Sequence, residues 1–520
     1  MRRPIALVVL TLCVVVVATG APLAPSEPAA AQTDADWRGA GADADDELGL
    51  SADEGLSDAE LEAVVERSMV RIESIRGVEF EERPSVTVVT REEFRSEYAG
   101  LGANPPEDRA AFENAKLRAL FLVGGDENAT AVQNENMDTA VAGFYSSETA
   151  EIVLVSNAEE PRVNELTLAH ELVHAYQDQE WGLAGYDSRT QDGSSAELGL
   201  IEGDAVYLET LYEQRCGEEW ECLIPADAEP GEGEQPDQPA NLGLLLLDFY
   251  PYDSGPTFIE SVHEAGGWAA VNDLYDEPPV TTEQVIDPAA YPADQPRDVA
   301  IEDTNSGDWE RLEPDTGPDY DRLGMAAVTT MFINPLYDSG GQDWVIPADE
   351  WFTYEGSEPP AYGAFEYGHE YATGWDGDRL HVYENSEEIG YVWRLAWDSP
   401  DDADTFAAGF DDLLAYWGGE RVEPDTYRID DGGYEGAYHV TVDEETVTIT
   451  HAPTVDALAA VSGDARPGTG GSPGETADEP TREDGDGDDA EDTGDALPGF
   501  GIPVALATLA IAAYLLVRRR

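Results

Sequence analysis

The chain has 520 residues, with 27 Lys+Arg against 110 Asp+Glu and a formal net charge of -83. That balance excludes a nucleic-acid partner, because phosphate contacts need clustered Lys and Arg. The acid runs through the apolar-patterned regions as well as the ends, as on a halophile's solvated surface, where molar salt cuts the Debye length to about 3 Å and screens the self-repulsion.

Arg2 and Arg3 precede an apolar run from Ile5 to Ala18 and then small residues at Thr19, Gly20 and Ala21. This reads as an export signal over residues 1–31, since the run is short of the about 20 residues a spanning helix needs. Residues 32–56 are acidic and Ala/Gly-rich, a spacer. Ser57-Asp58-Ala59-Glu60 is a capping box that predicts a helix to about Ile75. Ser85–Thr90 is β-branched and strand-like, followed by short helices at Glu92–Tyr98 and Arg109 to about Leu122. Val141–Tyr145 and Glu151–Val155 are strands flanking a turn. A long helix then carries His170-Glu171-Leu172-Val173-His174, and another runs from Ser195 to about Gln214. Further helices are predicted at Phe258–His263, Val271–Tyr275, Leu323–Phe332 and Asp401–Tyr416. Strands are predicted at Leu380–Tyr383 and Gly390–Trp397, with a closing hairpin of Tyr438–Val442 and Thr446–Thr450. The mixture is α+β, and about 400 residues are expected to form two lobes, 57–275 and 276–462.

Residues 463–497 are Gly, Pro, Thr, Asp and Glu with almost no apolar side chain, so nothing there offsets the entropy of folding; a disordered linker is expected. Residues 498–520 are Pro498-Gly499-Phe500, an apolar stretch from Gly501 to Val517, and three arginines. Physically this is a short membrane segment with its arginines cytoplasmic and the bulk of the chain outside. The order also resembles the PGF-type sorting tail of archaeal surface proteins. That resemblance implies an archaeosortase-type processing enzyme as partner, replacement of the tail by a lipid, and a haloarchaeal cell envelope with the chain anchored C-terminally on its outer face.

HExxH on a helix puts His170 and His174 one turn apart on one face, where both imidazoles reach one ion, with Glu171 placed to take a proton from water at the metal. Zn2+ needs a third protein ligand. Glu202, in Ile201-Glu202-Gly203-Asp204-Ala205, is the first choice on the following helix, with Glu197 and Glu209 as rivals. Gly203 permits close helix contact, and Asp204 is a candidate acceptor for the outer N–H of a ligand His. His369-Glu370-Tyr371-Ala372-Thr373 carries half of the pattern and reads as surface. Cys216 and Cys222 are expected to form a disulfide outside the cell; a thiolate metal site would need a second Cys or His pair nearby. Asn128-Ala129-Thr130 is a sequon, making Asn128 a glycosylation candidate.

These residues resemble the gluzincin branch of the zincin metallopeptidases. "HELVHAYQDQ" followed by "EGDA" is similar to a large set of bacterial and archaeal HExxH proteins, and "VAGFYSSETAEIVLV", "YPYDSGPTFIESVHEAGGWAAVNDLYDEPPVTTEQVIDPAAYP" and "GWDGDRLHVY" extend the likeness over much of residues 57–420. The resemblance implies a zincin-like domain at 57–275 (a small mixed sheet plus the HExxH helix) and an α+β C-terminal lobe. It implies zinc on His170, His174 and Glu202, Glu171 as general base, and a peptide or protein substrate. It departs at Asp287, where members often carry His. Tyr250, Tyr252 and His263 are candidate oxyanion donors. By analogy with the fold, Glu151–Val155 is the sheet edge on which a substrate would lie. The competing reading is a non-catalytic envelope protein retaining a structural or vestigial zinc site. A calcium module is disfavoured, because no D-x-D-x-D-G spacing is present.

Overall fold

The backbone N–H of Ser57 donates to Glu60 Oε2 at 2.9 Å, so the first long helix starts at the predicted box. The computed structural model describes residues 12–16, 42–98, 105–158, 160–186, 188–225, 241–354, 359–386 and 388–466. The linker beyond Arg466 and the sorting tail lie outside the described residues, as does all of the export signal except 12–16. The linker's first residues are not disordered, since Ala465 is buried against the second-half sheet and α12. In chain order the elements are β1 (Leu12–Val16), α1 (Asp58–Arg76), β2 (Ser85–Thr90), α2 (Arg91–Glu97), α3 (Glu107–Ala119), α4 (Ala129–Ala140), β3 (Val141–Ser146), β4 (Glu151–Ser156), α5 (Glu165–Trp181), α6 (Gln191–Glu213), α7 (Leu242–Asp276) and α8 (Thr282–Ile286). There follow β5 (Glu310–Arg311), α9 (Gly324–Asp338), α10 (Ala348–Trp351), β6 (Trp375–Glu384), β7 (Ile389–Trp397), α11 (Pro400–Tyr416), β8 (Glu420–Glu423), β9 (Thr426–Ile429), β10 (Gly436–Asp443), β11 (Thr446–Ala452) and α12 (Val455–Val461). The chain is therefore a mixed α and β protein. Among the described residues no helix is long and apolar enough to cross a membrane.

A four-stranded mixed sheet has the order β1-β3-β4-β2, with β3 antiparallel to β4 and β2 parallel to β4. Glu151–Val155 is therefore not an edge: β4 is hydrogen-bonded on both sides, and an extended peptide has no free ladder there. A seven-stranded sheet, β5-β6-β7-β11-β10-β9-β8, is antiparallel throughout.

Two main cores form around these sheets. One joins α1, β3, β4, α5 and one face of α6; the other joins α3, the opposite face of α6, α7, α9, α11 and the large sheet. The division does not fall at residue 276, because α3 and α7 bury their apolar faces with the second-half sheet. Nor is 42–56 a bare spacer. Leu48, Leu50 and Leu56 pack on the first core, and Ala44 O and Asp46 O accept from buried Arg71 and Arg67.

Helix α7 runs on through Pro251 and Pro256, bending at Gly267. Proline inside a helix costs about 3 kcal/mol. Burial of Phe249 to Pro256 along α6, with Phe258 and Ile259 beyond, outweighs that cost. At the crossing, a Cβ on Gly203 would stand 2.5 Å from Gly255 C, and one on Gly255 would stand 2.4 Å from Gly199 O. The two backbones touch, and that contact sets where Glu202 lies relative to α7.

Candidate metal centre

Helix α5 is anchored at its start. Asn164 Oδ1 accepts from Leu166 N at 3.0 Å. The buried Glu165 carboxylate takes Arg67 Nη2 at 2.9 Å, Arg71 Nη1 at 2.7 Å, Tyr212 Oη at 2.6 Å and Leu223 N at 2.7 Å. Leu223 follows the Cys216–Cys222 disulfide, which is formed. One carboxylate thus ties α1, α5, α6 and the disulfide loop together.

One turn further, His170 and His174 face α6. His170 Nε2 lies 3.2 Å and His174 Nε2 3.3 Å from Glu202 Oε2, and the two Nε2 atoms are 3.0 Å apart. All three donor atoms lie within 4.8 Å of one another. His170, Glu171, His174 and Glu202 are each at most 1% exposed. Two imidazoles and a carboxylate, all buried and convergent, suit one divalent cation of the zinc type. Glu171 projects toward β3, where a Cβ on Gly143 would stand 3.1 Å from Glu171 Oε1, so a side chain at 143 would press on that carboxylate.

The charges are coupled. Burial opposes a charged His170, but hydrogen bonds to Glu202 and Glu209, with Glu171 near, outweigh it and push its pKa up to about 10. Burial likewise opposes an ionised Glu202, yet His174 and His170 pull its pKa down to about 2. In the absence of a metal, a proton on His170 serves as the cation of the cluster.

Behind the histidines the structure corrects the sequence reading. The outer nitrogens meet Glu209 Oε2 (His170 Nδ1, 3.2 Å) and Gln177 Oε1 (His174 Nδ1, 2.8 Å), not Asp204. Asp204 instead takes Arg76 Nη2 at 3.1 Å and Tyr275 Oη at 2.9 Å. Of the rivals on α6, Glu209 lies behind His170, and Glu197 accepts from Ser188 N at 3.0 Å. Gln177 and Gly143 were missed. Gln177 is three residues beyond His174 on α5, a same-face spacing that could have found it.

Among the oxyanion candidates, Tyr250 is fully buried and donates to Thr282 O at 3.2 Å, so it belongs to the core. The His263 ring pairs with Tyr207 Oη at 3.0 Å and packs against Trp268 at a tilt, ring centres 4.2 Å apart. Tyr252 alone of the three touches the centre, its ring 6.3 Å from that of His170. Asp287 is exposed and caps its own turn through Ala289 N. His369 is buried, against the surface reading, with Nε2 3.2 Å from Glu350 Oε2. Asn128 is exposed, and its Oδ1 caps α4.

A family profile described as a domain of unknown function (DUF8575) matches residues 310–462. This is the stretch from β5 through α12, which holds the large sheet and none of the metal-centre residues. No curated protein and no solved structure matches the chain.

Proposed function

We propose that the chain is a zinc-dependent metallopeptidase with a zincin-like domain, exported and anchored by its C-terminal segment at the outer face of the cell envelope. The observation that carries this reading is the convergence of His170, His174 and Glu202 within 4.8 Å, with Glu171 next to His170 on the same helix. Zinc bound there would supply Lewis-acid polarisation of a water and of the scissile carbonyl. His170 and His174 would hold the ion through neutral Nε2 lone pairs, and Glu202 through an anionic oxygen. Glu171 accepts the proton of the attacking water on its carboxylate and returns it to the departing amine. The zincin-like architecture rests on the mixed sheet beside α5 and on the motif resemblance. The envelope location, peptide substrate and archaeosortase-type partner rest on the sequence of the two ends.

Glu171→Gln is the test. The change keeps size and removes the basic oxygen, so bound zinc should stay at one per chain while hydrolysis of unfolded protein in molar salt falls at least about 100-fold. The second reading, a structural or vestigial zinc site, is favoured by one observation: all four side chains are at most 1% exposed. A wild-type chain that holds zinc and cleaves no peptide would establish that reading.

A further inference from the structure

Gln177 is fully buried, three residues after His174, and touches three groups of fixed or inferable polarity. Its Nε2 lies 2.9 Å from Ile201 O and 2.8 Å from Tyr275 Oη; its Oε1 lies 2.8 Å from His174 Nδ1. We propose that Gln177 is a positioning residue that fixes the tautomer of His174, and that Tyr275, Asp204 and Arg76 fix the direction of the Gln177 amide. This rests on the metal-site reading only for its consequence, not for its geometry.

A backbone carbonyl can only accept, so the amide nitrogen must face Ile201 O; the flipped amide would set two acceptors together in a dry interior. With Oε1 then facing His174, Nδ1 must carry the hydrogen, and the lone pair falls on Nε2, the nitrogen that faces Glu202 and His170. Tyr275 Oη receives the second amide hydrogen, so its own proton goes to Asp204 Oδ2 at 2.9 Å. Asp204 is held ready by Arg76, whose guanidinium lies 4.2 Å from the Trp268 ring centre. The chain from Arg76 to His174 is at most 5% exposed at every member, so no solvent competes for these bonds.

The contrast with His170 explains the length of the chain. Glu209 behind His170 can only accept when ionised, so it needs no further support to impose an Nδ1 hydrogen. An amide can present either end, and Ile201 O and Tyr275 decide which. A carboxylate at 177 would face Ile201 O acceptor to acceptor, which is why glutamine stands there and not glutamate.

Two readouts test this. The first is the tautomer of His174 in the metal-free wild-type chain, labelled with 15N-histidine in molar salt and assigned by loss of its signals in His174→Ala. Nδ1–H is expected; Nε2–H would overturn the proposal, whatever the protein does to peptides. The second is zinc affinity by chelator competition in Gln177→Met and Tyr275→Phe. The expected loss is about 10- to 100-fold for Gln177→Met, in the range for groups that orient ligand histidines, and smaller but in the same direction for Tyr275→Phe. Tyr275→Phe keeps the ring stacked 3.7 Å from Trp181 and so preserves the fold if Gln177→Met does not. Folded Tyr275→Phe with zinc affinity within twofold of wild type and an unchanged tautomer would overturn the role of the chain beyond Gln177. A wild-type chain without zinc affinity would sink the metal reading, leaving the tautomer spectrum to decide this one.

Discussion

Gly203→Ala is expected to loosen the metal centre by prising apart the two helices that build it. The added Cβ would stand 2.5 Å from Gly255 C, 2.6 Å from its O and 2.8 Å from its Cα, all backbone atoms that no rotamer change can move. Carbon contacts are comfortable near 3.5 Å, so α6 and α7 must separate by about 1 Å at the crossing. Overpacking of this kind costs about 1–3 kcal/mol, and backbone obstruction puts it at the upper end. Alanine regains about 1 kcal/mol of helix propensity over glycine. The net is about 2 kcal/mol, roughly 30-fold in the folding equilibrium. Because Glu202 and Asp204 flank the site while Tyr252 and Tyr275 ride on α7, zinc affinity should fall as well. Urea unfolding in molar salt, with chelator competition alongside, measures both. Gly185→Ala, whose Cβ meets nothing within 4 Å, serves as the control and should leave both unchanged. If Gly203→Ala unfolds within about 0.5 kcal/mol of wild type with full zinc affinity, the helix contact does not hold the centre together.

Metal binding should depend on pH in a direction set by the cluster. His170, raised to about 10, keeps its proton in the metal-free chain, and a metal must displace it. Affinity should therefore rise about tenfold per pH unit toward about 10 and level off above; Glu202, ionised above about 2, adds nothing in that range. A flat profile between about pH 6 and 9 would contradict the assigned proton. Glu165→Ala should destabilise the fold by at least about 4 kcal/mol, because Arg67 and Arg71 are left as buried, uncompensated cations. Denaturant titration showing a loss under about 1 kcal/mol would mean those guanidiniums find other partners.

What could be read from the chain by itself was what is local. The box at Ser57–Glu60 and the hairpin of β3 and β4 depend on neighbours in sequence, as does the HExxH face of α5, so propensity and periodicity report them. The third member of the triad was legible too, because Glu202 sits in a helix whose predicted start was only four residues late. The tertiary structure decided the rest. The polar α4 and the fully exposed β8 carry no apolar period to detect, and α7 crosses two prolines because its burial outweighs them. Strand order made β4 interior rather than an edge. The partners behind the ligands come from far apart in the chain: Tyr275 is 98 residues from Gln177, and Arg76 is 128 from Asp204. Such pairings have no signature in the sequence, since a buried polar group takes whichever complementary atom the packing of helices brings within 3 Å, and only folding settles which one that is.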